Sequence, residues 1–351
     1  MKIAQVAPLT EAVPPRLYGG TERVVSWLTE ELVALGHDVT LFASGDSVTS
    51  AKLFPFWPRS LRLDGAVRDA NALHVALVEQ ICQRANEFDI IHCHLDYLPF
   101  SLLSRQPTPF VTTLHGRLDL PELQPVFTTF SHVPVVSISG SQRRPLPQAN
   151  WIETVHHGLP LGLLRPQGST PSYLAFLGRI SPEKGLERAI EIAHVCRMPL
   201  KVAAKVDQAD SNYFNREIVP LLKQSHVEFI GEINDEQKPE FLSGAVALLA
   251  PIAWPEPFGL VMIEAMACGT PVVAFNRGSA PEIIEYGVTG FVVEDVMSAA
   301  AAVRMAADLP RDQIRARFEQ RFTSRRMAND YLDVYRRLIF ARRGRARLAS
   351  V

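Results

Sequence analysis

Two carboxylates, Glu256 and Glu264, are separated by seven residues in the run Trp254-Pro255-Glu256-Pro257-Phe258-Gly259-Leu260-Val261-Met262-Ile263-Glu264-Ala265-Met266-Ala267-Cys268-Gly269. Pro257 and Gly259 keep a helix from starting between them too early. Leu260 to Cys268 is short, apolar and rich in helix formers. A helix opening at Phe258, Gly259 and Leu260 presents free backbone N–H groups and the positive end of its dipole, which suits a diphosphate. Glu264 then lies inside the helix and Glu256 in the loop before it, on the order of 10 Å apart at ~1.5 Å rise per residue. One carboxylate can reach a ribose while the other reaches a sugar beyond the pyrophosphate.

Other residues fit the same chemistry. Arg179 and Lys184 flank a short loop entering a helix from Leu186, and two cations at a helix N-terminus are what a departing pyrophosphate requires. A charged surface turn is the plainer account of that pair taken alone. Glu264 has apolar neighbours throughout its helix. A carboxylate there is costly unless paired, so a ribose diol is a sensible partner. Glu256 is held extended by Pro257, placed to bind sugar hydroxyls or to stabilise positive character at an anomeric carbon. Lys205 follows a strand and faces either phosphate or solvent. Gly19 and Gly20 let a backbone approach a phosphate or an acceptor, though glycine turns after strands are common. Thr21 reads as the N-cap of the following helix. His92 and His94 alternate on a strand and point the same way. No third ligand is evident beside them, so core or acceptor-side packing is expected rather than a metal site.

These residues sit within motifs that resemble retaining glycosyltransferases of family 4. The Glu-x7-Glu segment carries the resemblance, with Phe176-Leu177-Gly178-Arg179-Ile180-Ser181-Pro182-Glu183-Lys184-Gly185, Gly269-Thr270-Pro271-Val272-Val273-Ala274, Pro281-Glu282-Ile283-Ile284 and Gly287-Val288-Thr289-Gly290-Phe291. Tyr18-Gly19-Gly20-Thr21-Glu22-Arg23-Val24 is similar to the N-terminal glycine loop of the subgroup typified by an avilamycin-pathway sugar transferase. The likeness covers nearly the whole chain in order, and the second half carries the specific motifs. It implies the GT-B fold: two facing Rossmann-like domains with parallel sheets and a C-terminal helix crossing back to the first domain. It implies a donor that is a nucleoside-diphosphate sugar, UDP- or GDP-linked, with no cofactor and no metal. It places His115, in a His-Gly pair at a strand end, against the donor sugar, where a satisfied loop histidine is the alternative. Ile230-Gly231-Glu232 resembles the base-side loop, in which backbone reads the ring. Retention in such sites is attributed to front-face attack assisted by the leaving phosphate oxygen. The implied catalytic set is His115, Glu256, Arg179 and Lys184. The implied donor-binding set is Gly19, Gly20, Arg179, Lys184, Gly231, Glu256, Phe258, Gly259, Leu260 and Glu264. A sugar-nucleotide epimerase of the same architecture is an alternative, but it needs an acid/base set around the sugar, and no second carboxylate cluster accompanies His115. A non-catalytic sugar-nucleotide-binding protein would be expected to lose Arg179, Lys184 or Glu256.

The elements that position these groups alternate strand and helix. Strands are expected at Ile3 to Ala7, Val39 to Ala43, Ile90 to His94, Phe110 to Leu114 and Val133 to Ile138, with helices at Glu22 to Leu35 and Ala70 to Glu87. The second half repeats the plan. Its strands are expected at Tyr173 to Leu177, Leu200 to Ala204, Val227 to Ile230, Ala247 to Leu249 and Val272 to Phe275. Its helices are expected at Leu186 to Cys196, Tyr213 to Lys223, Asp235 to Ser243, Leu260 to Cys268 and Ser298 to Asp308. Ordered strand–helix–strand units imply parallel α/β sheets. Pro160, Pro166, Gly168 and Pro171 mark a linker, giving an acceptor-side domain of residues 1–165, joined by a helix over 325–345, and a nucleotide-sugar domain of residues 166–324. Ligands of such sheets bind beyond the carboxyl ends of the strands, where the candidate residues fall.

Composition sets the outer bounds. At 351 residues the chain is long for a single core. Its 47% hydrophobic and 21% charged residues are ordinary for a globular protein. A net charge of −1 gives no pull towards nucleic acid. Cys82, Cys93, Cys196 and Cys268 form no CxxC pair and read as buried thiols of a cytoplasmic protein. No signal peptide or membrane span is evident. The C-terminus alone is charge-biased, with Arg325, Arg326, Arg336, Arg337, Arg342, Arg343, Arg345 and Arg347 among apolar residues. It reads as a solvated surface helix, with peripheral contact to anionic lipid at the inner membrane surface as the alternative. The acceptor is open between a sugar, a lipid and a small molecule.

Overall fold

The computed structural model describes residues 1–16 and 19–349, with residues 343–349 by backbone alone. Tyr18 of the glycine-loop motif and the side chains of Arg343, Arg345 and Arg347 therefore lie outside the described residues. The chain forms two compact units: residues 1–158 with 324–351, and residues 159–323. The division falls at the front of the proline-rich stretch, and a second division precedes Ser324.

The first unit is built on seven parallel strands: β1 (Lys2–Val6), β2 (Asp38–Ser44), β3 (Lys52–Trp57), β4 (Ile90–Cys93), β5 (Phe110–Thr113), β6 (Pro134–Ser137) and β7 (Asn150–Thr154). Their order is β3-β2-β1-β4-β5-β6-β7, so the chain reverses its direction of travel between β1 and β4. β4 and β5 are buried at every position, as parallel strands covered on both faces must be. Edge strand β3 is not among the expected strands, and β7 is the strand whose end is expected near His156 and His157, closing at Thr154. Pro55 argues against a strand in β3, yet an edge tolerates the missing N–H. β7, Asn-Trp-Ile-Glu-Thr, is half-polar and lacks an apolar run.

The second unit holds β8 (Tyr173–Ile180), β9 (Leu200–Val206), β10 (Val227–Gly231), β11 (Ala245–Ala250), β12 (Val272–Phe275) and β13 (Gly290–Val293). Their order is β10-β9-β8-β11-β12-β13, again all parallel, with the reversal between β8 and β11. Helices Leu186–Cys196 and Val296–Ala306 pack on each other and share one apolar core with the strands. The expected helix over Tyr213 to Lys223 is present as one continuous helical run over residues 211–221 that widens into a π-turn at Phe214–Ile218. Pro220 lacks the N–H of the regular ladder and crowds the preceding turn, which accounts for the widening. A helix at Arg311–Arg321 was not anticipated; its sequence is mostly charged, and only Ile314 and Phe318 are buried.

Helix Ser324–Ala349 belongs to the first unit and packs on helix Gly20–Ala34. Tyr331 and Tyr335 are its buried anchors. Its described arginines have partners within that unit. Arg337 meets Glu153 at 2.7 Å, Arg325 meets Glu31 at 3.5 Å, and Arg326 donates to the His156 and His157 carbonyls at 2.7 and 2.9 Å. All four cysteines are free thiols. No helix among the described residues is long and apolar enough to cross a membrane.

Candidate active site

In an open parallel sheet the crevice for a ligand opens where the strand order reverses. In the second unit that point lies between β8 and β11. The chain leaving β8 carries Lys184 in the turn Pro182–Lys184, and the chain leaving β11 carries Glu256. The two side chains close on each other: Lys184 Nζ lies 2.6 Å from Glu256 Oε2. Trp254 Nε1 donates to the same oxygen at 2.8 Å, and the Lys184 ammonium sits 6.0 Å from the Trp254 ring centre. Glu256 is buried. A buried carboxylate with an ammonium and an indole N–H as partners is compensated rather than orphaned.

Backbone close packing holds this arrangement. Gly185, in the left-handed region at φ 70°, ends the Lys184 turn, and a Cβ there would meet the Pro251 carbonyl oxygen at 2.3 Å. Ala253 N donates to the Glu183 carbonyl at 2.8 Å, so the two loops are also bonded to each other. Behind Glu256 lies Gly278, at φ 57°, where a Cβ would meet both the N and O of Glu256 at 2.3 Å. Ser279 N donates to the Glu256 carbonyl at 3.0 Å, and its hydroxyl donates to the Phe258 carbonyl at 2.6 Å.

Three residues beyond Glu256 the helix Leu260–Ala267 begins from Gly259, which is left-handed at φ 82° and supplies no side-chain cap. Gly259, Leu260 and Val261 are half-buried while Met262 to Ala267 are buried, so only the first turn remains accessible. Its first N–H groups have no side-chain cap and stand at the positive end of the helix dipole, three residues beyond Glu256.

Glu264 stands differently from its expected state. It is not a lone acid in an apolar helix: Lys238 Nζ lies 2.7 Å from its Oε1 and 3.0 Å from Asp235 Oδ1. The cost of burying the carboxylate is met by a lysine from helix Lys238–Ser243, 26 residues earlier. Arg179 lies within β8 rather than after it, in register with Lys205 on β9. Its Nε is 3.5 Å from Asp210 Oδ2, an ion pair without a hydrogen bond, and neither atom has a hydrogen-bond partner among the described residues. Gly231 closes edge strand β10 at φ 79° with open space around it, next to the exposed Phe229 and Ile230.

Gly19, Gly20 and His115 belong to the first unit, described by itself. Gly19, not Thr21, is the N-cap of helix Gly20–Ala34, so Thr21 is already helical. A Cβ on Gly19 would meet Pro15 at 2.9 Å. His115 follows β5 and joins a histidine cluster at the carboxyl ends of β4 and β5. His115 Nε2 lies 2.8 Å from His94 Nδ1, and the His115 ring stacks on His157 at 5.3 Å. His94 Nε2 reaches Gln5 Oε1 at 2.9 Å. His92 is wholly buried and bonded to Tyr335 and Thr113, so His92 and His94 are core residues. Burial pushes His92, His94 and His157 well below the ordinary histidine range, and His115 down to about 3. The same effect raises the buried carboxyl of Glu22, beside Glu11, which pairs with Arg62 at 2.9 Å.

Lys238, Trp254, Asp210, Gly278 and Gln5 were missed in the sequence. Lys238, Asp210, Gly278 and Gln5 reach the site residues across long separations that carry no periodic signal; the short-range pairs are Trp254 with Glu256, two residues apart, and Asp235, in the turn before helix Lys238–Ser243, with Lys238. Among the described residues no group of three or more His, Cys, Asp and Glu is arranged to hold a metal ion.

Residues 165–325 match the family model for glycosyl transferases group 1, and residues 18–174 match that for glycosyltransferase family 4. A phosphatidyl-myo-inositol mannosyltransferase of Mycolicibacterium smegmatis is 26% identical over 358 residues, covering 93% of this chain and 89% of that one. An alpha-maltose-1-phosphate synthase of Mycobacterium tuberculosis is 26% identical over 394 residues, covering 95% and 99%. A solved glycosyltransferase involved in avilamycin A biosynthesis superposes with a TM-score of 0.73 at 25% identity, covering 96% and 98% of the two chains. An Anabaena protein, HepE, solved with UDP and glucose, shares the fold with a TM-score of 0.70 at 20% identity, covering 95% and 99%.

Proposed function

The chain belongs to the glycosyltransferases that the group 1 and family 4 models describe, enzymes of GT-B fold, and from this we propose that it moves a hexose-type sugar from a nucleoside-diphosphate sugar to an acceptor hydroxyl, with retention and without a metal. The observation that carries the proposal is the Lys184–Glu256 pair at the strand-order reversal of the second unit, beside the uncapped first turn at Leu260. The first turn and Lys184 take the diphosphate. Arg179, with its unbonded guanidinium edge, adds the second cation. Glu256 faces the sugar, Glu264 the ribose, and Gly231 the base.

The bond between the anomeric carbon and the diphosphate oxygen breaks, its electron pair leaving with the diphosphate. The acceptor oxygen bonds to the same face, and its proton passes to the leaving phosphate oxygen. Negative charge grows on the diphosphate as this happens, so Lys184, Arg179 and the helix N-terminus act most strongly in the transition state. No step calls for a metal. The proposal includes a cytoplasmic location. The C-terminal helix Ser324–Ala349 is read as a solvated surface helix, with contact of its basic face with anionic lipid as the second reading, near the exposed Phe340; sedimentation with anionic and with neutral vesicles separates the two. The acceptor is a sugar, a lipid headgroup or a small molecule.

The test is release of free nucleoside diphosphate from UDP-, GDP- and dTDP-sugars, in EDTA, with and without candidate acceptors. The proposal expects acceptor-dependent release with at least one donor. Epimerised donor without release would instead assign the chain to sugar-nucleotide isomerisation, and tight binding without turnover to a sensor.

A further inference from the structure

In the first unit, β4 ends at Cys93, beside the point where the sheet reverses its strand order. The chain then makes a four-residue turn, Leu95-Asp96-Tyr97-Leu98, closed by Leu98 N donating to the Leu95 carbonyl at 3.1 Å. Asp96, the second residue of the turn, has φ 48°. That left-handed position favours glycine, and a side chain there is strained. The turn is pinned at both ends. Leu95 is buried before it, and Phe100 is buried after it, packed edge-on against Phe127 and Phe130. Asp96, Tyr97 and Leu98 stand out to solvent between these anchors.

The fold makes no use of the Asp96 carboxylate. An aspartate in a turn ordinarily accepts from a backbone N–H two residues on. Asp96 makes no such bond, and its side chain has no hydrogen-bond or ion-pair partner among the described residues. Crowding by the protein pushes its carboxyl up to about 6, while the residue keeps an exposed surface. A group that is both crowded and reachable lies in the wall of a concavity. Its free oxygens accept hydrogen bonds and, when ionised, donate none, so their partner is rich in donors. No metal-holding group of side chains surrounds it among the described residues. Tyr97, 42% exposed, offers a flat apolar face with a polar tip. A carboxylate next to an aromatic residue suits a ring bearing adjacent hydroxyls, with two O–H groups on the oxygens and a C–H face on the aromatic. An anionic ligand is repelled by the carboxylate, and a wholly apolar one strands it.

We propose that Asp96 and Tyr97 form a polyol-binding site at the carboxyl end of β4, in which the Asp96 carboxylate accepts from two vicinal hydroxyls of a sugar ring or cyclitol and Tyr97 packs on the face of that ring. That the occupant is the acceptor of the transfer rests on the function proposed above; the site itself does not. The strained backbone at Asp96 then has a purpose, since glycine would relieve it and lose the carboxylate. Among the acceptors left open above, the site selects those that present a diol.

Saturation-transfer NMR on the full-length chain tests this, with methyl α-D-glucopyranoside and myo-inositol as diol probes and cyclohexanol and tetramethylammonium for comparison. The wild-type chain transfers saturation to at least one diol probe, and more strongly than to either comparison compound. Asp96→Asn keeps a residue that tolerates the left-handed backbone and removes the charge; it lowers that signal about fivefold or more, as loss of charge-assisted hydrogen bonds does. Tyr97→Ala lowers it as well. Thermal unfolding at pH 7.5 tells a ligand-binding carboxylate from a structural one. Asp96 has no partner to lose, so Asp96→Asn melts no lower than the wild type. The site is overturned by the absence of signal from both diol probes, by a signal as strong in Asp96→Asn as in the wild type, by Asp96-dependent binding of tetramethylammonium alone, or by a lower melting temperature in Asp96→Asn. Release of nucleoside diphosphate separates this site from the proposed function. Asp96-dependent diol binding in a chain that releases none keeps the site and removes its acceptor role. Acceptor-dependent release with diol binding untouched by either variant keeps the function and removes the site.

Discussion

Lys184 and Glu256 are 72 residues apart in the chain, yet their side chains meet at 2.6 Å across the point where the second sheet reverses its strand order. Each is brought there by a turn at the carboxyl end of a central strand. Removing the ammonium takes positive charge from the proposed diphosphate and leaves Glu256 with Trp254 as its remaining named partner. Lys184→Met is expected to lower kcat by about 100-fold, as loss of one preorganised group at a developing anion does, with a smaller change in donor affinity. Steady-state kinetics on the preferred donor checks this. An effect confined to KM would make Lys184 a simple binding group.

The backing of Glu256 gives a second expectation. Gly278→Ala must relieve a 2.3 Å approach to the Glu256 backbone from a φ of 57°. Gly287 is also left-handed, at φ 74°, but faces open space. Gly287→Ala should cost about 1 kcal/mol from backbone conformation alone. Gly278→Ala should cost clearly more and should lower activity by shifting the Glu256 loop. Urea unfolding of the two variants side by side checks the ranking; equal stabilities would mean that the close packing is unimportant.

Removing the ammonium of the Lys238–Glu264 pair leaves the buried Glu264 carboxylate without it, whereas removing the Glu264 charge leaves Lys238 its ion pair with Asp235. Lys238→Met should destabilise the second unit by about 3–5 kcal/mol, and Glu264→Gln by less. Glu264→Gln should in addition weaken binding of the preferred nucleoside diphosphate in calorimetric titration. Loss of stability with unchanged affinity would leave Glu264 a structural residue and remove it from the ribose.

Much of this arrangement is legible from residues near one another in sequence. The apolar strands β1, β4 and β5 announce themselves because both faces of a central parallel strand are buried. The turn at Pro257 and Gly259 announces the helix that follows, because only certain residues tolerate those backbone positions. Edge strand β3 is obscured by Pro55, since the same residue that forbids a central strand is harmless at an edge. The partners of the candidate residues are hidden for another reason. Lys238 reaches Glu264, and Gln5 reaches His94, only after β-sheet order is set, and no spacing encodes that order. Burial theory did require a partner for Glu264; it could not say that a lysine, rather than a ligand, would be one.

Acid should weaken the first unit through its histidines. Burial lowers the folded-state pKa of His92, His94, His115 and His157, with His115 at about 3. The unfolded chain takes up those protons near 6.5, so below that pH it binds more protons than the folded chain. Stability is therefore fully present above about 6.5 and is lost as pH falls from there towards 3, at up to about 1.4 kcal/mol per pH unit for each proton. Thermal unfolding between pH 7.5 and 5 checks the sign. A melting temperature that rises on acidification would contradict buried, neutral histidines.

The central claim is that the Lys184–Glu256 pair and the first turn at Leu260 serve transfer from a sugar nucleotide. Acceptor-dependent release of nucleoside diphosphate in EDTA, measured on the wild-type chain, Lys184→Met and Glu256→Gln with UDP-, GDP- and dTDP-sugars, tests it most directly. The account predicts metal-independent release by the wild type and a loss of about 100-fold in both variants, each still folded by circular dichroism. Release that vanishes in EDTA and returns with Mg²⁺ or Mn²⁺, or variants as active as the wild type, would contradict it.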